Sequence, residues 1–239
     1  MKSIRAYPWP RLASAVIAAI ALLPSCLMAQ ELDCPGFAEP ARARLQWVAP
    51  FMIFNGVPMS VKRFDSEQRP EEILAFYRQI WRGAGSAAPV ENTVEPWQVI
   101  SVLRGKCFFT VQVQSAGRGS AGLLSATQAQ GQQAKLTPPE KVLPMMTGST
   151  VINDIEHRDE GKNARTILLA NGFSAETNAG FYRQNLADRG WKMVNSYQMT
   201  TKRGPGITLV MKRGATEASL VITREGQNTM VMANLVDNP

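Results

Sequence analysis

Phe76-Tyr77-Arg78-Gln79 and Phe181-Tyr182-Arg183-Gln184 are the same four residues met twice, 105 positions apart (181 − 76 = 105). A repeat is sought first because it constrains everything around it. Before the first copy, Met59 to Phe64 reads as a strand. Pro70 then opens a helix, and Glu71 and Glu72 place carboxylates in its first turn, where the helix dipole favours them. Ile73, Phe76, Tyr77 and Ile80 recur at helical spacing as far as Trp81. Trp97–Leu103 and Cys107–Val113 follow as strands joined by the tight turn Arg104-Gly105-Lys106.

Around the second copy, Arg165–Ala170 reads as a strand and Ser174 as the N-cap of a helix through Ala179, Tyr182 and Leu186. Gly190 stops that helix, because glycine accepts the left-handed backbone found there. Trp191 to Met199, Ile207–Met211, Ser219–Thr223 and Met230–Leu235 are further strands, and Thr150–Ile155 is an additional one ahead of the helix. A proline-led segment precedes each copy, Pro50-Phe51-Met52 and Pro144-Met145-Met146. The expected fold class is therefore α+β: two tandem copies of a strand–helix–strand meander, each with one helix on its own antiparallel sheet. The expected domains are a signal peptide over 1–29, a first repeat over 30–114, a flexible linker over 115–141 and a second repeat over 142–239. The linker reading rests on the Gly, Ala, Ser and Gln content and on Pro138-Pro139, with Leu123-Leu124 as an edge strand.

The N-terminus reads as an export signal. Lys2, Arg5 and Arg11 precede an apolar run from Leu12 to Leu23, too short to span a bilayer as a helix, and Pro24 ends it. Two fates compete. In one, cleavage follows Ala29 and releases a periplasmic protein. In the other, Leu23-Pro24-Ser25-Cys26 is a lipobox and a lipidated Cys26 tethers the chain to a membrane. The formal charge is +7. Removing 1–29 takes away three cations and no acid, leaving 23 basic against 19 acidic residues, or +4. The excess is scattered in pairs such as Lys62-Arg63 and Lys212-Arg213, which argues against a nucleic-acid partner. With Cys26 discarded or lipidated, Cys34 and Cys107 remain, and an even pair in an oxidising compartment is expected to form a disulfide contributing about 2–4 kcal/mol.

Reactive constellations are scarce. His157 is the sole histidine, in the cluster Asp154-Ile155-Glu156-His157-Arg158-Asp159-Glu160. On a strand, Asp154 and Glu156 point away from His157 and only Asp159 joins it. One His and one carboxylate fall short of the three or four protein ligands a zinc site uses. No Gly-x-Ser-x-Gly elbow occurs, and Gly117-Arg118-Gly119-Ser120-Ala121-Gly122 lacks the Lys-Ser/Thr ending of a phosphate loop, so it reads as linker. The helix Tyr and Trp residues read as core, with Tyr hydroxyls reaching the surface.

No catalytic residue, metal ligand or cofactor is assigned. The expectation is a non-catalytic exported envelope protein that binds other envelope proteins, as an accessory or assembly factor of an outer-membrane, pilus or secretion apparatus. The alternatives are a periplasmic binder of a small molecule, lipid or glycan, and a carboxylate-based hydrolase. The mass of the exported chain tests the N-terminus: the expected product begins at Gln30, whereas a diacylglyceryl-modified Cys26 identifies the lipobox reading instead.

Overall fold

In the computed structural model, residues 32–82, 87–128, 136–159, 161–201 and 204–238 are described; the signal segment, with Cys26, lies outside them. The elements run β1 (Ala43–Phe54), β2 (Val57–Ser66), α1 (Pro70–Trp81), β3 (Val90–Val94), β4 (Trp97–Arg104), β5 (Cys107–Ala116), β6 (Gly119–Gln128) and α2 (Pro139–Val142). They continue with β7 (Thr150–Asp159), β8 (Lys162–Asn171), α3 (Ala175–Asp188), β9 (Lys192–Thr201), β10 (Gly204–Arg213), β11 (Thr216–Glu225) and β12 (Asn228–Asp237).

All twelve strands join one antiparallel sheet in the order β3-β4-β5-β6-β2-β1-β7-β8-β12-β11-β10-β9. This corrects the expected α+β class. The molecule is mostly β, and its strands form one sheet where two separate helix-on-sheet units were expected. The two halves fuse where β1 meets β7, through Met52–His157, Ile53–Glu156 and Phe54–Ile155.

The stretch 115–141 is also corrected. Its residues Gly119–Gln128 form β6, paired to β5 on one side and β2 on the other, so Leu123-Leu124 is interior to the sheet. Gly117-Arg118 is the two-residue turn of the β5–β6 hairpin, with Gly117 at φ 58°. The small residues that suggested a linker are there for close approach. A Cβ on Gly122 would lie 2.4 Å from the Phe64 ring and 2.3 Å from the Gln112 carbonyl oxygen.

The helix boundaries follow local chemistry. Glu72 Oε2 accepts the Arg69 N–H (2.7 Å) at the start of α1. Ser174 Oγ accepts the Thr177 N–H (3.0 Å) at the start of α3. At the end of α3, Gly190 N–H bonds to Ala187 O and Trp191 N–H to Leu186 O, with Gly190 left-handed at φ 83°.

Directly paired residues share a face of a sheet, so the register tells where the helices lie. Ile53 pairs with Pro58, which alternates with Phe64 under α1; across the seam Ile53 pairs with Glu156, which pairs with Arg165, in alternation with Ile167 and Leu169 under α3. Both helices therefore cover the same face. One core gathers Ile73, Tyr77 and Trp81 with Phe64, Ile100, Phe109 and Val111. The other gathers Ala179, Tyr182 and Leu186 with Ile167, Leu209, Leu220 and Val231. The segments leading into β1 and β7 pack there too, through Phe37 and Leu143.

Because Gly122 sits in an interior strand, Gly122→Ala is expected to destabilise the protein by about 1–3 kcal/mol through overpacking against Phe64. Urea unfolding measures it; a change within 0.5 kcal/mol, an ordinary surface effect, would return 119–128 to the status of a linker.

Candidate functional site

The described surface offers three places where function could reside: the polar seam, the strap over the first core, and the outer edges of the sheet.

At the seam, the β1–β2 turn is made by Asn55 and Gly56, both left-handed (φ 49° and 82°), a pairing that suits a tight hairpin. Asn55 N–H donates to Asp154 O, and Asp154 N–H donates to Asn55 Oδ1, both at 2.8 Å. Beside them Arg165 forks onto Asp154, Nε to Oδ1 at 2.8 Å and Nη2 to Oδ2 at 2.7 Å. Its Nη1 pairs with Glu156 Oε1 at 2.9 Å and its Nη2 also donates to Thr137 O at 2.7 Å. Arg165 and Asp154 are buried, and the guanidinium is engaged on all three nitrogens. Asp154 and Glu156 thus serve a structural pair. His157, on the opposite face of β7, is half-buried beside Met52. The backbone of Asp159 ends β7, and its side chain is outside the described residues. Among the described residues no group of three or more His, Cys, Asp or Glu is placed to hold a metal ion.

Cys34 and Cys107 are brought together, sulfur to sulfur at 2.08 Å. The bond fastens residues 32–40 as a strap across the first core. Phe37 meets the edges of the Tyr77, Trp81 and Phe109 rings. Lys106 pairs with Asp33, and Lys62 with Glu39 at 2.5 Å.

The repeated tyrosines are core residues, but their hydroxyls do not reach the surface, contrary to expectation. Both are fully buried. Tyr77 Oη donates to Ala38 O in the strap (2.7 Å), whereas Tyr182 Oη has no hydrogen-bond partner. Burial raises both phenol pKa values, with the Glu39 charge adding to the effect at Tyr77.

The repeated arginines reach the two outer strands. Arg78 forks onto Glu91 of β3 at 2.6 and 2.7 Å, and Arg183 Nη2 donates to Ser196 of β9 at 3.0 Å. Hydrogen bonding to Arg78 lowers the Glu91 pKa, partly offset by desolvation. The edges differ in length and chemistry. β3 has five residues and carries a charge. β9 has ten, paired on one side only by β10, with Met193, Val194, Tyr197 and Met199 all exposed. Sequence reading located the strand but gave no sign that it lies outermost, since strand order is set by pairing.

The chain matches no family model, no curated protein and no solved structure.

Removing one partner of a buried ion pair leaves an uncompensated charge. Asp154→Ala is expected to cost about 3 kcal/mol in urea unfolding. Adding Arg165→Leu should recover part of that loss; a single-variant cost below about 1 kcal/mol, the range of exposed pairs, would show that the pair does not hold the seam.

Proposed function

We propose that this is a non-catalytic exported protein of the cell envelope that binds another envelope protein, as an accessory or assembly factor of an outer-membrane, pilus or secretion apparatus. It works in the periplasm, either free or tethered through a lipidated Cys26. The supporting observation is β9. An outermost strand offers a row of backbone N–H and C=O groups to an incoming chain, and proteins normally blunt such edges with short strands, charges, prolines or bulges. β3 follows that practice: it is short, and Glu91 is held by Arg78. β9 follows it less. It is twice as long, has no proline, and has a lysine only at its first residue. One bulge interrupts its pairing with β10 between Val210 and Met211. An extended partner segment adding to β9 would gain main-chain hydrogen bonds along its length, with alternate side chains meeting Tyr197 and Met199 on one face and, past the bulge, Met193 on the other.

The non-catalytic part of the reading is supported by how the acids are used. Asp154 and Glu156 hold Arg165, and Glu91 holds Arg78.

Photo-crosslinking from position 197 in intact cells tests the reading. The expected result is a discrete adduct with a second envelope protein that Val194→Lys, a charge on the edge, reduces at least tenfold. Adducts only with the chain itself, or an adduct indifferent to Val194→Lys, would rule out β9 as the docking edge.

A further inference from the structure

The face of the sheet turned away from α1 and α3 has no helix over it among the described residues. In the second half that face has an unusual composition. From β7 to β9 the register aligns its residues in rows that cross six strands. The middle row is Asn153, Leu168, Met232, Val221, Thr208 and Tyr197. A row from Ile155 to Asn195 lies on one side of it and a row from Thr150 to Met199 on the other. Three rows on six strands make eighteen positions, and none is Asp, Glu, Lys, Arg or His. Solvated faces of antiparallel sheets ordinarily alternate polar residues outward. Here Leu168, Met232, Val221 and Val210 point outward among hydroxyls and amides, and Met232 and Tyr197 are 44% and 54% exposed. The first half differs, because Arg63 and Asp65 pair on this face of β2.

We propose that this face is a dimer interface: a second copy of the chain stacks on it, open face to open face, as a two-layer β-sandwich. Two features select a second copy as the occupant. A two-fold interface sets a surface against itself, so charges near the axis would meet like charges; a face without charge carries no such penalty. The size also fits. Strands about 4.8 Å apart and rows about 7 Å apart give a patch of roughly 600 Å² in projection. The next row runs His157, Ala164, Val236, Glu217, Lys212 and Lys192, which brings the face to twenty-four positions and gives the charge-free patch a charged rim along one side. Standard interfaces use about 20–30 residues a side. Aligned sheets stack about 10 Å apart with their strands within about 30° of each other, so interdigitating Leu, Met and Val side chains would fill the layer between them.

The test is sedimentation equilibrium of the exported, disulfide-bonded chain at tens of micromolar, with Met232→Glu and Val194→Lys beside it. The expected result is a dimer whose dissociation constant rises about 100-fold or more in Met232→Glu, with the far-ultraviolet circular dichroism unchanged, and which Val194→Lys leaves intact. Thr208→Lys, two strands along the same row, gives the same reading if Met232→Glu fails to fold. A wild-type monomer at every concentration overturns the proposal. So does a dimer that survives both face substitutions. A dimer lost only in Val194→Lys would instead be joined edge to edge, and a monomer that sediments with purified peptidoglycan through Met232 would assign the face to a glycan; either result overturns the proposal. The loss of a β9 partner alone, with the dimer retained, would remove the reading of β9 and leave this one standing.

Discussion

The clasp of Arg165 on Asp154, beside the exchange of hydrogen bonds between Asp154 and Asn55, is the interaction on which the architecture turns. Only three residue pairs join β1 to β7. Main-chain pairing that short would be a weak joint between two six-stranded halves. The hairpin tip at Asn55 and Gly56 inserts against β7, and the buried guanidinium satisfies two carboxylates and the Thr137 carbonyl at once. A buried ion pair is weak evidence for added stability, since desolvation opposes it. Its better-attested contribution is registry. With Asp154 and Asn55 interlocked, β1 meets β7 in one register, and that register places both helices on the same side. The opposite face, with no helix over it among the described residues, and the distant edges β3 and β9 follow from it.

Within this frame the two halves have diverged in how far they close themselves. In the first, the strap carries Phe37 onto the Tyr77 and Trp81 rings, supplies the Ala38 carbonyl to the Tyr77 hydroxyl, and is fastened by Cys34–Cys107. Its outer strand is short and ion-paired. In the second, Leu143 fills the comparable place, Tyr182 keeps a buried hydroxyl without a partner, and the outer strand is long and exposes Met193, Val194, Tyr197 and Met199. A buried unpaired hydroxyl costs about 1–3 kcal/mol. The half that bears that cost also presents the charge-free face and the open edge.

Much of this was legible in the sequence, and what was not has physical causes. Pro70, Ser174 and Gly190 mark helix ends because each answers a local backbone requirement, and the structure uses all three. The cysteines could be paired because only two were available. β1 was missed because Pro50 interrupts its run; the strand tolerates proline there because its register shifts between Ala49 and Met52. β3 was missed because all five of its residues are exposed and its pattern gives no buried side. β6 was misread because small residues resemble a linker, whereas they admit the Phe64 ring and the Ser66 backbone at close range. The side-by-side placement of Asp154 and Glu156 follows from strand alternation, but their partner Arg165 could not be inferred, since it depends on β8 folding back in register. The merger of the sheets was the least legible feature. It is written mainly in backbone pairing, which any residue but proline can supply.

Edge and face make different demands on a partner. An edge offers main-chain donors and acceptors, so it accepts many extended sequences and draws its selectivity from a few side-chain pockets. A face offers side chains only, and occupying it requires a surface of matching relief over hundreds of square ångströms. Stacking two copies through their open faces covers no strand edge, because the sheet layers lie above one another while hydrogen bonding runs within each layer. A face-to-face pair therefore leaves both β9 strands outermost. Self-association thus leaves the β9 main chain open to an extended segment, with only the Tyr197 and Met199 side chains common to both contacts, and a dimer would present that edge twice. Two weak strand additions on one particle bind a multivalent partner far more tightly than either alone, which is the advantage an assembly factor would draw from keeping one half of its sheet sealed and the other open.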